Sequence, residues 1–182
     1  MGITVSTAAK RRRPKTQAPG RKEEEEQIVV FKLGGEEYGI EINEVREIIR
    51  KREITPVPRQ PDYVEGVINV RGTIIPVINL KKRFGLQDDP STQPHTIIVE
   101  SGEGLVGILV DSVSEVIRVP KDRIHHPPSV SMEADNRYLR GICRVGDRLL
   151  IYLDVKKVVS TIPTSSTTVN EQVLQESLMA AN

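Results

Sequence analysis

The stretch Gly66-Val67-Ile68-Asn69-Val70-Arg71-Gly72-Thr73-Ile74-Ile75-Pro76-Val77-Ile78-Asn79-Leu80 decides the fold of this chain. It contains two runs of β-branched aliphatic residues separated by Arg71 and Gly72, and such runs are typical of buried strands. Gly72 marks a tight turn, because glycine adopts positive φ values at little cost. The stretch therefore predicts a buried hairpin. Pro76 cannot donate a ladder hydrogen bond, which predicts an edge or bulged strand at that point.

The composition indicates a soluble, folded chain whose core is built from aliphatic side chains. The 182 residues are 37% hydrophobic and 3% aromatic, and the formal net charge is +1. This length allows one ordinary domain or two very small ones. The single cysteine, Cys143, cannot form an internal disulfide, which favours a reducing, cytoplasmic compartment. No apolar run has the length that a bilayer requires, so we expect no direct membrane insertion.

The chain divides into a central folded part and two polar ends. Residues 1–26 combine a basic cluster with four glutamates, a composition that buries little, so they are predicted to be a disordered arm. Residues 27–160 carry the apolar strands. Residues 161–182 are predicted to be a flexible tail, with a short helix as the alternative. The charge excess lies in the arm, and the nearly neutral remainder does not have the composition of a nucleic-acid-binding surface.

A hairpin and a short helix are predicted ahead of the opening stretch. Two apolar runs meet at a pair of glycines near residue 34, and the second run alternates like a half-buried strand. Asn43 then offers an N-cap, and Val45, Ile48 and Ile49 recur at helical spacing. We therefore predict a helix over residues 44–50.

The second half of the chain repeats the first. A shift of 68 positions places Gly34, Gly39, Val45 and Glu47 on Gly102, Gly107, Val113 and Glu115, and a shift of 75 positions places Gly66 on Gly141. The repeats span about residues 28–85 and 96–160. Each has about five short strands, which predicts an all-β protein with short helices in which each repeat curls into a small barrel. Units of this size are marginally stable alone, so we expect the two to be interdependent.

The sequence contains no motif for catalysis or for a bound cofactor. The histidines, His95, His125 and His126, do not occur at a metal-ligand spacing with cysteines or carboxylates. A glycine-rich phosphate loop, a nucleophile elbow and a Cys-His arrangement are all missing. We therefore predict a protein that is not an enzyme and that binds neither a metal nor a cofactor.

Glu47 and Arg71 are charged residues that lie beside predicted structural turns. If the first barrel folds back on itself, the two side chains can pair. A partly buried pair at a binding surface fixes geometry and contributes specificity. The alternative is that each residue is an exposed charge of little consequence for stability.

Several linked motifs resemble those of the CheW family, the adaptors of bacterial chemotaxis. They are Gly66-Val67-Ile68-Asn69-Val70-Arg71-Gly72, Ile75-Pro76-Val77-Ile78-Asn79-Leu80, Val106-Gly107-Ile108-Leu109-Val110-Asp111 and Tyr138-Leu139-Arg140-Gly141. The resemblance covers about residues 27–160, with Val70 and Asn79 standing where the family usually has Leu and Asp. It implies two pseudo-symmetric, five-stranded SH3-like barrels packed side by side.

The resemblance also implies a function. CheW proteins are non-enzymatic scaffolds that join the cytoplasmic tips of chemoreceptors to the histidine kinase CheA, whose regulatory domain is itself CheW-like. A receptor's helical hairpin would lie in a groove between the barrels, and the chain would associate with membrane-bound receptor arrays through its partners. By motif position, the receptor-facing residues would be Val45, Glu47, Ile48, Arg71 and Val113, and the kinase-facing residues Glu41 and Gly66.

Two alternatives stay open from the sequence. Val45, Ile48 and Val113 are apolar, and each can equally belong to the barrel core rather than to a binding surface. The chain can also be a small-barrel protein that binds nucleic acid through its basic arm. Such proteins stack bases on exposed aromatic residues over a basic groove, and few aromatic residues are available here.

Overall fold

The computed structural model of the protein describes residues 24–50, 52–87, 93–126 and 137–160. Most of the predicted arm and the whole tail at 161–182 lie outside the described residues. The first strand begins at Glu25, so regular structure extends two residues into the segment predicted to be disordered.

Strands dominate the described residues, as the repeat pattern predicts. The strands are β1 (Glu25–Leu33), β2 (Glu36–Glu41), β3 (Val45–Arg50), β4 (Val64–Val70), β5 (Thr73–Asn79), β6 (His95–Ser101), β7 (Gly104–Val110), β8 (Ser112–Pro120), β9 (Ile124–His125), β10 (Leu139–Val145) and β11 (Arg148–Leu153). The helices α1 (Leu80–Arg83) and α2 (Val155–Val159) follow β5 and β11, and 3-10 turns occupy Ile42–Glu44 and Lys121–Arg123.

Two sheets form, and each takes strands from both sequence repeats. Sheet 1 has the order β3-β6-β7-β5-β4, and sheet 2 has the order β8-β1-β2-β11-β10-β9. The first hairpin of each repeat has joined the sheet that contains the second hairpin of the other repeat. The repeats are therefore intertwined, which differs from the assignment of one barrel to each repeat.

The strand register confirms that the two sheets are pseudo-symmetric. Glu47 of β3 pairs with Ile98 of β6, and Glu115 of β8 pairs with Val30 of β1. The 68-residue shift converts each member of one pair into a member of the other. A β-bulge interrupts both ladders immediately beside these pairs. Even a local irregularity of the backbone is thus repeated.

Three apolar clusters account for the packing. One lies between the sheets and includes Phe31, Leu33, Ile78, Ile97, Val99 and Leu153, drawn from both sheets; we call it the shared core. The other two lie on the opposite faces, inside sheet 1 and inside sheet 2. Because all five strands of sheet 1 contribute to the cluster on its inner face, that sheet curls around the cluster. The fold is the predicted pair of small barrels that share an apolar boundary.

The helix predicted over residues 44–50 is wrong, because this segment forms the edge strand β3. Residues along β3 alternate between half-buried and exposed, the period of a strand rather than a helix. Asn43 donates a side-chain hydrogen bond to Glu41 instead of capping a helix. A run of six residues fits both periods, and here the β-branched residues and pairing with β6 select the strand.

The opening stretch forms the predicted hairpin of β4 and β5, joined by Arg71 and Gly72. Both turn residues have positive φ values, 51° and 87°, which match the twist of the flanking strands. The prediction of an edge or bulged strand at Pro76 is wrong, because β5 lies inside sheet 1, between β7 and β4. Pro76 is opposite Val67, whose backbone N–H and C=O bond to Thr55 instead. The missing donor therefore breaks no hydrogen bond with β4.

Gly66 permits the backbone of Thr55 to approach β4. Its φ is +139°, and a Cβ at this position would lie 2.1 Å from the Thr55 carbonyl oxygen. Gly141, the repeat equivalent, is also crowded, because a Cβ there would lie 2.6 Å from a methyl group of Ile124 and 3.2 Å from the His125 carbonyl oxygen. Glycine is required at both positions by packing.

We predict that Gly66→Ala lowers the free energy of unfolding by at least about 2 kcal/mol, because it combines backbone strain with a steric clash. Urea denaturation followed by circular dichroism measures the change. Gly102→Ala is the matched control, since a methyl group added at Gly102 would lie in open space and its φ is not in the left-handed region. Equal stability of the two variants would contradict this structural role.

Candidate protein-interaction site

A groove of about 530 Å³ opens at the end of sheet 1. Its apolar lining comes from residues of the inner cluster and its edge, namely Val70, Ile75, Ile98 and Leu105. Glu47 and Arg71 line it as well, and Arg71 Nη2 donates to Glu47 Oε1 at 2.8 Å. The ion pair therefore connects the edge strand β3 with the tip of the β4–β5 hairpin. The structure brings together the two charges that the sequence suggested as a pair.

A second ion pair, between Arg46 and Glu100, lies at the same groove. The β-bulge at Arg46 explains how two successive residues, Arg46 and Glu47, both line one groove, since regular strand residues alternate between faces. Sequence reasoning missed Arg46 and Glu100, because neither the bulge nor the β3–β6 pairing is visible in the local pattern. The groove thus combines an apolar floor with two cations and two carboxylates.

Arg71 and its repeat equivalent share a backbone conformation that is unfavourable for any residue except glycine, and the equivalent residue is a glycine. The φ of Arg71 is +51°, and the φ of Gly146 at the same position of the β10–β11 turn is +62°. A left-handed conformation costs a non-glycine residue roughly 1–2 kcal/mol. The side chain of Arg71 is 78% exposed, so its ion pair contributes little stability in return. Glycine occupies the equivalent position of sheet 2, so this turn does not require an arginine side chain.

Sheet 2 provides a different arginine at the corresponding place. Arg148 contacts Glu37 Oε1 at 3.0 Å and Glu115 Oε1 at 2.8 Å. Glu115 is the repeat equivalent of Glu47, whereas Arg148 corresponds to Thr73. Both glutamates are therefore neutralised, but by arginines from different positions. The repeat alignment shows that Arg148 corresponds to a residue other than Arg71. It does not show which carboxylates Arg148 contacts.

The apolar residues predicted to face a receptor occupy a different surface from Glu47 and Arg71. Val45 and Val113 are partly buried and pack against the shared core. Ile48 is 40% exposed and lies opposite Ile97, a member of the shared core. Glu47 and Arg71 therefore line the groove. The other three predicted residues lie on the faces of β3 and β8 that are directed to the shared core.

Of the two residues predicted to face the kinase, Glu41 and Gly66, only Glu41 has a side chain that a partner can reach. Gly66 is covered by Thr55 and has no side chain to present. Glu41 is half-buried, and its carboxylate accepts a hydrogen bond from Arg140 at 2.7 Å. Burial alone would raise the pKa of Glu41, but hydrogen bonds from Arg140 and Asn43 lower it below its ordinary value. Glu41 thus stays ionised beside a partly exposed guanidinium.

Glu44 lies in the short turn that connects the two sheets, and its pKa is shifted in the direction opposite to that of Glu41. Burial raises its pKa above the ordinary value of 4.5. Its Oε2 atom is buried and accepts no hydrogen bond within the described structure. The ionised form of Glu44 therefore destabilises the fold at neutral pH.

A buried ion pair joins the two sheets. Lys81 Nζ of α1 lies 2.5 Å from Asp111 Oδ1, and both side chains are largely buried. Asp111 is the single residue between β7 and β8, and its Oδ2 atom accepts a hydrogen bond from the N–H of Gly34, which lies in the turn between β1 and β2. This pair contributes to architecture rather than to recognition.

The described residues show no arrangement typical of an active site. Among them, no group of three or more His, Cys, Asp or Glu is placed to hold a metal ion. Cys143 is buried, and burial raises its pKa to about 11, so its thiol is a poor nucleophile. No helix in the described ranges is long and apolar enough to cross a bilayer.

Two intertwined small barrels that carry paired charges around an apolar groove define a class of protein-interaction modules. A family model described as "CheW-like domain" matches residues 27–162. The chemotaxis protein CheW of Treponema pallidum is 37% identical over 144 residues, which cover 76% of this chain and 85% of that protein. CheW of Klebsiella aerogenes is 36% identical over 139 residues, which cover 75% and 82% of the two chains.

A solved structure has the same fold. The scaffolding protein TtCheW from Thermoanaerobacter tengcongensis matches with a TM-score of 0.66 and 39% sequence identity, over 71% of this chain and 88% of that chain. The chain belongs to the CheW family of chemotaxis proteins. None of these matches supports the nucleic-acid-binding alternative.

We predict that Arg71→Gly changes the free energy of unfolding by less than about 1 kcal/mol, because removal of backbone strain offsets a weak exposed ion pair. Lys81→Met, which removes the cation from a buried carboxylate, is expected to cost about 3 kcal/mol. Chemical denaturation of both variants measures the contrast. A large loss for Arg71→Gly would show that the fold requires this charge.

We predict that Glu44→Gln stabilises the protein at pH 7 by roughly 0.5 kcal/mol, because it removes the charge of a half-buried carboxylate that lacks a partner for one oxygen, while partial solvent exposure weakens the effect. A raised native pKa makes wild-type stability fall as the pH rises from about 4.5. The stability of the variant should therefore fall less over the same pH range. Thermal unfolding between pH 4 and pH 8 tests this. Glu41→Gln is the control and should destabilise at pH 7, since it leaves Arg140 without its carboxylate.

Proposed function

We propose that this chain is a non-enzymatic adaptor that couples methyl-accepting chemoreceptors to the histidine kinase CheA in bacterial signal transduction. Its membership of the CheW family and its similarity to a scaffolding protein support this role. The adaptor would be cytoplasmic and would reach membrane-bound receptor arrays through its partners. We expect this coupling to need neither a metal nor a cofactor.

The observation that carries the proposal is the position of β3 at the edge of sheet 1. Glu47 is directed to the groove, whereas the neighbouring Ile48 is directed to the side of the shared core. Within the described residues, β3 pairs only with β6. A partner that lies along the outer edge of β3 can therefore contact both faces of the strand. The apolar contact supplies affinity, and the Glu47–Arg71 pair sets orientation.

We assign the receptor tip to this edge. Ile48, Glu47 and Arg71 would make direct contacts, while Val45 and Val113 would act indirectly by fixing the strands against the shared core. For the regulatory domain of CheA, we retain the surface around Glu41 and Arg140, where a paired charge is partly exposed. Gly66 would influence this surface only through its backbone conformation.

Co-purification tests the adaptor role as a whole. The full chain is mixed with a CheA regulatory domain and with a receptor cytoplasmic fragment, first separately and then together. We expect a complex with each partner and a ternary complex with both, because separate surfaces are available. Failure to bind either partner contradicts the proposed function.

Charge reversal tests the Glu47–Arg71 pair. Each single change, Glu47→Arg or Arg71→Glu, is expected to weaken receptor binding about fivefold or more, since it places like charges side by side. The double reversal should recover part of the affinity, as measured by titration calorimetry. The same reversal of the exposed Lys121–Glu24 pair serves as the control. Absence of recovery would mean that the two residues do not act as a pair.

A further inference from the structure

The outer margin of β3 presents an aliphatic side chain and a cation to solvent. Ile48 is 40% exposed, although it lies opposite Ile97 of the shared core. Arg50 follows two positions later, on the same face of the strand. It is exposed, and it has neither a hydrogen bond nor an ion pair with any residue that the structure describes. An aliphatic patch and an available cation therefore lie about 7 Å apart.

The last described helix lies beside this margin. α2 packs against β6, the strand with which β3 pairs, and its valines belong to the shared core. Lys156 of α2 lies close enough to Glu44, the residue before β3, for the two charges to interact. Residues 161–182 therefore start on the face of sheet 1 that carries Ile48.

The sequence of residues 161–182 complements the margin of β3 in both charge and apolar character. This segment contains two glutamates and no lysine, arginine or histidine. Glu171, Leu174 and Leu178 recur at i, i+3 and i+7, the spacing of one helix face. Asn170 precedes them and is a favoured N-cap residue. A helix that begins here would carry a carboxylate and two leucines on one face.

A helix of this length needs a surface on which to fold, and the chain delivers it to β3 at high concentration. Helices of fewer than about 12 residues are marginal in water by themselves. As a flexible chain, the connection from Ser160 to Asn170 has a root-mean-square length of about 17 Å, close to the roughly 20 Å length of β3. The effective concentration of the segment at β3 is then in the millimolar range. A contact of only millimolar affinity would cover the margin about half of the time.

We propose that residues 170–179 dock as a helix on the outer margin of β3 and regulate access to it. The leucines of the helix pack against Ile48, and the Glu171 carboxylate pairs with the Arg50 guanidinium. The segment thereby competes with any external partner of this margin. The competition rests on the proposed function, which assigns the receptor tip to the same edge, whereas the docking does not.

Tryptophan fluorescence of the full chain tests the docking. The chain contains no tryptophan, so Leu178→Trp introduces a single reporter. We expect emission at a shorter wavelength than that of the same variant unfolded in urea, because the docked indole ring packs against an aliphatic surface. Ile48→Gln and Arg50→Glu should each shift the emission toward that of the solvated ring. Ile74→Gln is the matched control and should leave the emission unchanged, since Ile74 is 57% exposed but lies on β5.

A charge exchange tests the orientation of the segment. Arg50→Glu combined with Glu171→Arg should restore the short-wavelength emission that Arg50→Glu alone removes. Glu176→Arg in place of Glu171→Arg is the matched control and should not restore it, because residues five positions apart are separated by about 140° around a helix. Circular dichroism verifies that every variant is folded. Solvated emission from the Leu178→Trp chain, emission that Ile48→Gln leaves unchanged, or equal recovery by the two exchanges would overturn the docking.

Titration calorimetry with a receptor cytoplasmic fragment tests the competition. Glu171→Arg releases the segment and should raise the affinity of the full chain at least about twofold, the value for a surface that is otherwise free half of the time. Glu176→Arg changes the net charge equally and should bind as the wild-type chain does. Equal affinities of the three chains would overturn the competition. If none of them binds the fragment, the receptor part of the proposed function fails and the competition fails with it, whereas the fluorescence decides the docking independently.

Discussion

The exchange of hairpins between the repeats is the constraint on which the rest of the structure depends. Hairpin β1–β2 lies between β8 and β11, and hairpin β6–β7 lies between β3 and β5. Neither sheet can be completed by one repeat. Separation of the sheets would also expose the shared core, at a cost of roughly 1.5–3 kcal/mol for each large aliphatic or aromatic side chain. Surfaces on the two sheets are consequently held in one fixed arrangement.

Charged residues are divided between this architecture and the surface. The Lys81–Asp111 pair is buried where α1 meets the connection between the sheets, and removal of either charge would leave the other in a poorly solvated site. The Glu47–Arg71 pair lies at the groove, with Arg71 mostly in water. Its loss costs little folding free energy. The first pair therefore helps to maintain the relative position of the sheets, whereas the second contributes little to folding.

Local signals in the sequence predict the hairpins, the Arg71-Gly72 turn and the duplication, because each depends on residues near one another in the chain. The intertwining is not predictable in this way, since the apolar pattern of β1 is the same whether it pairs within its own repeat or with β8. The segment Val45–Arg50 fits a helix and a strand equally well until β6 is available as its partner. The pairing of Glu47 with Arg71 could be suggested from sequence, but the groove around it depends on a β-bulge that no local pattern reveals.

Duplication allows structural requirements to be separated from functional ones within a single chain. Positions required by packing keep the same residue type in both halves, as Gly66 and Gly141 do. Where the halves differ, the fold has tolerated both choices: Arg71 corresponds to Gly146, and Arg83, which lies over the rings of Tyr63 and Tyr138, corresponds to the buried Val158. A difference between the halves at equivalent positions therefore shows that the fold requires neither residue there. Identity at a crowded position, by contrast, reflects packing that both halves share.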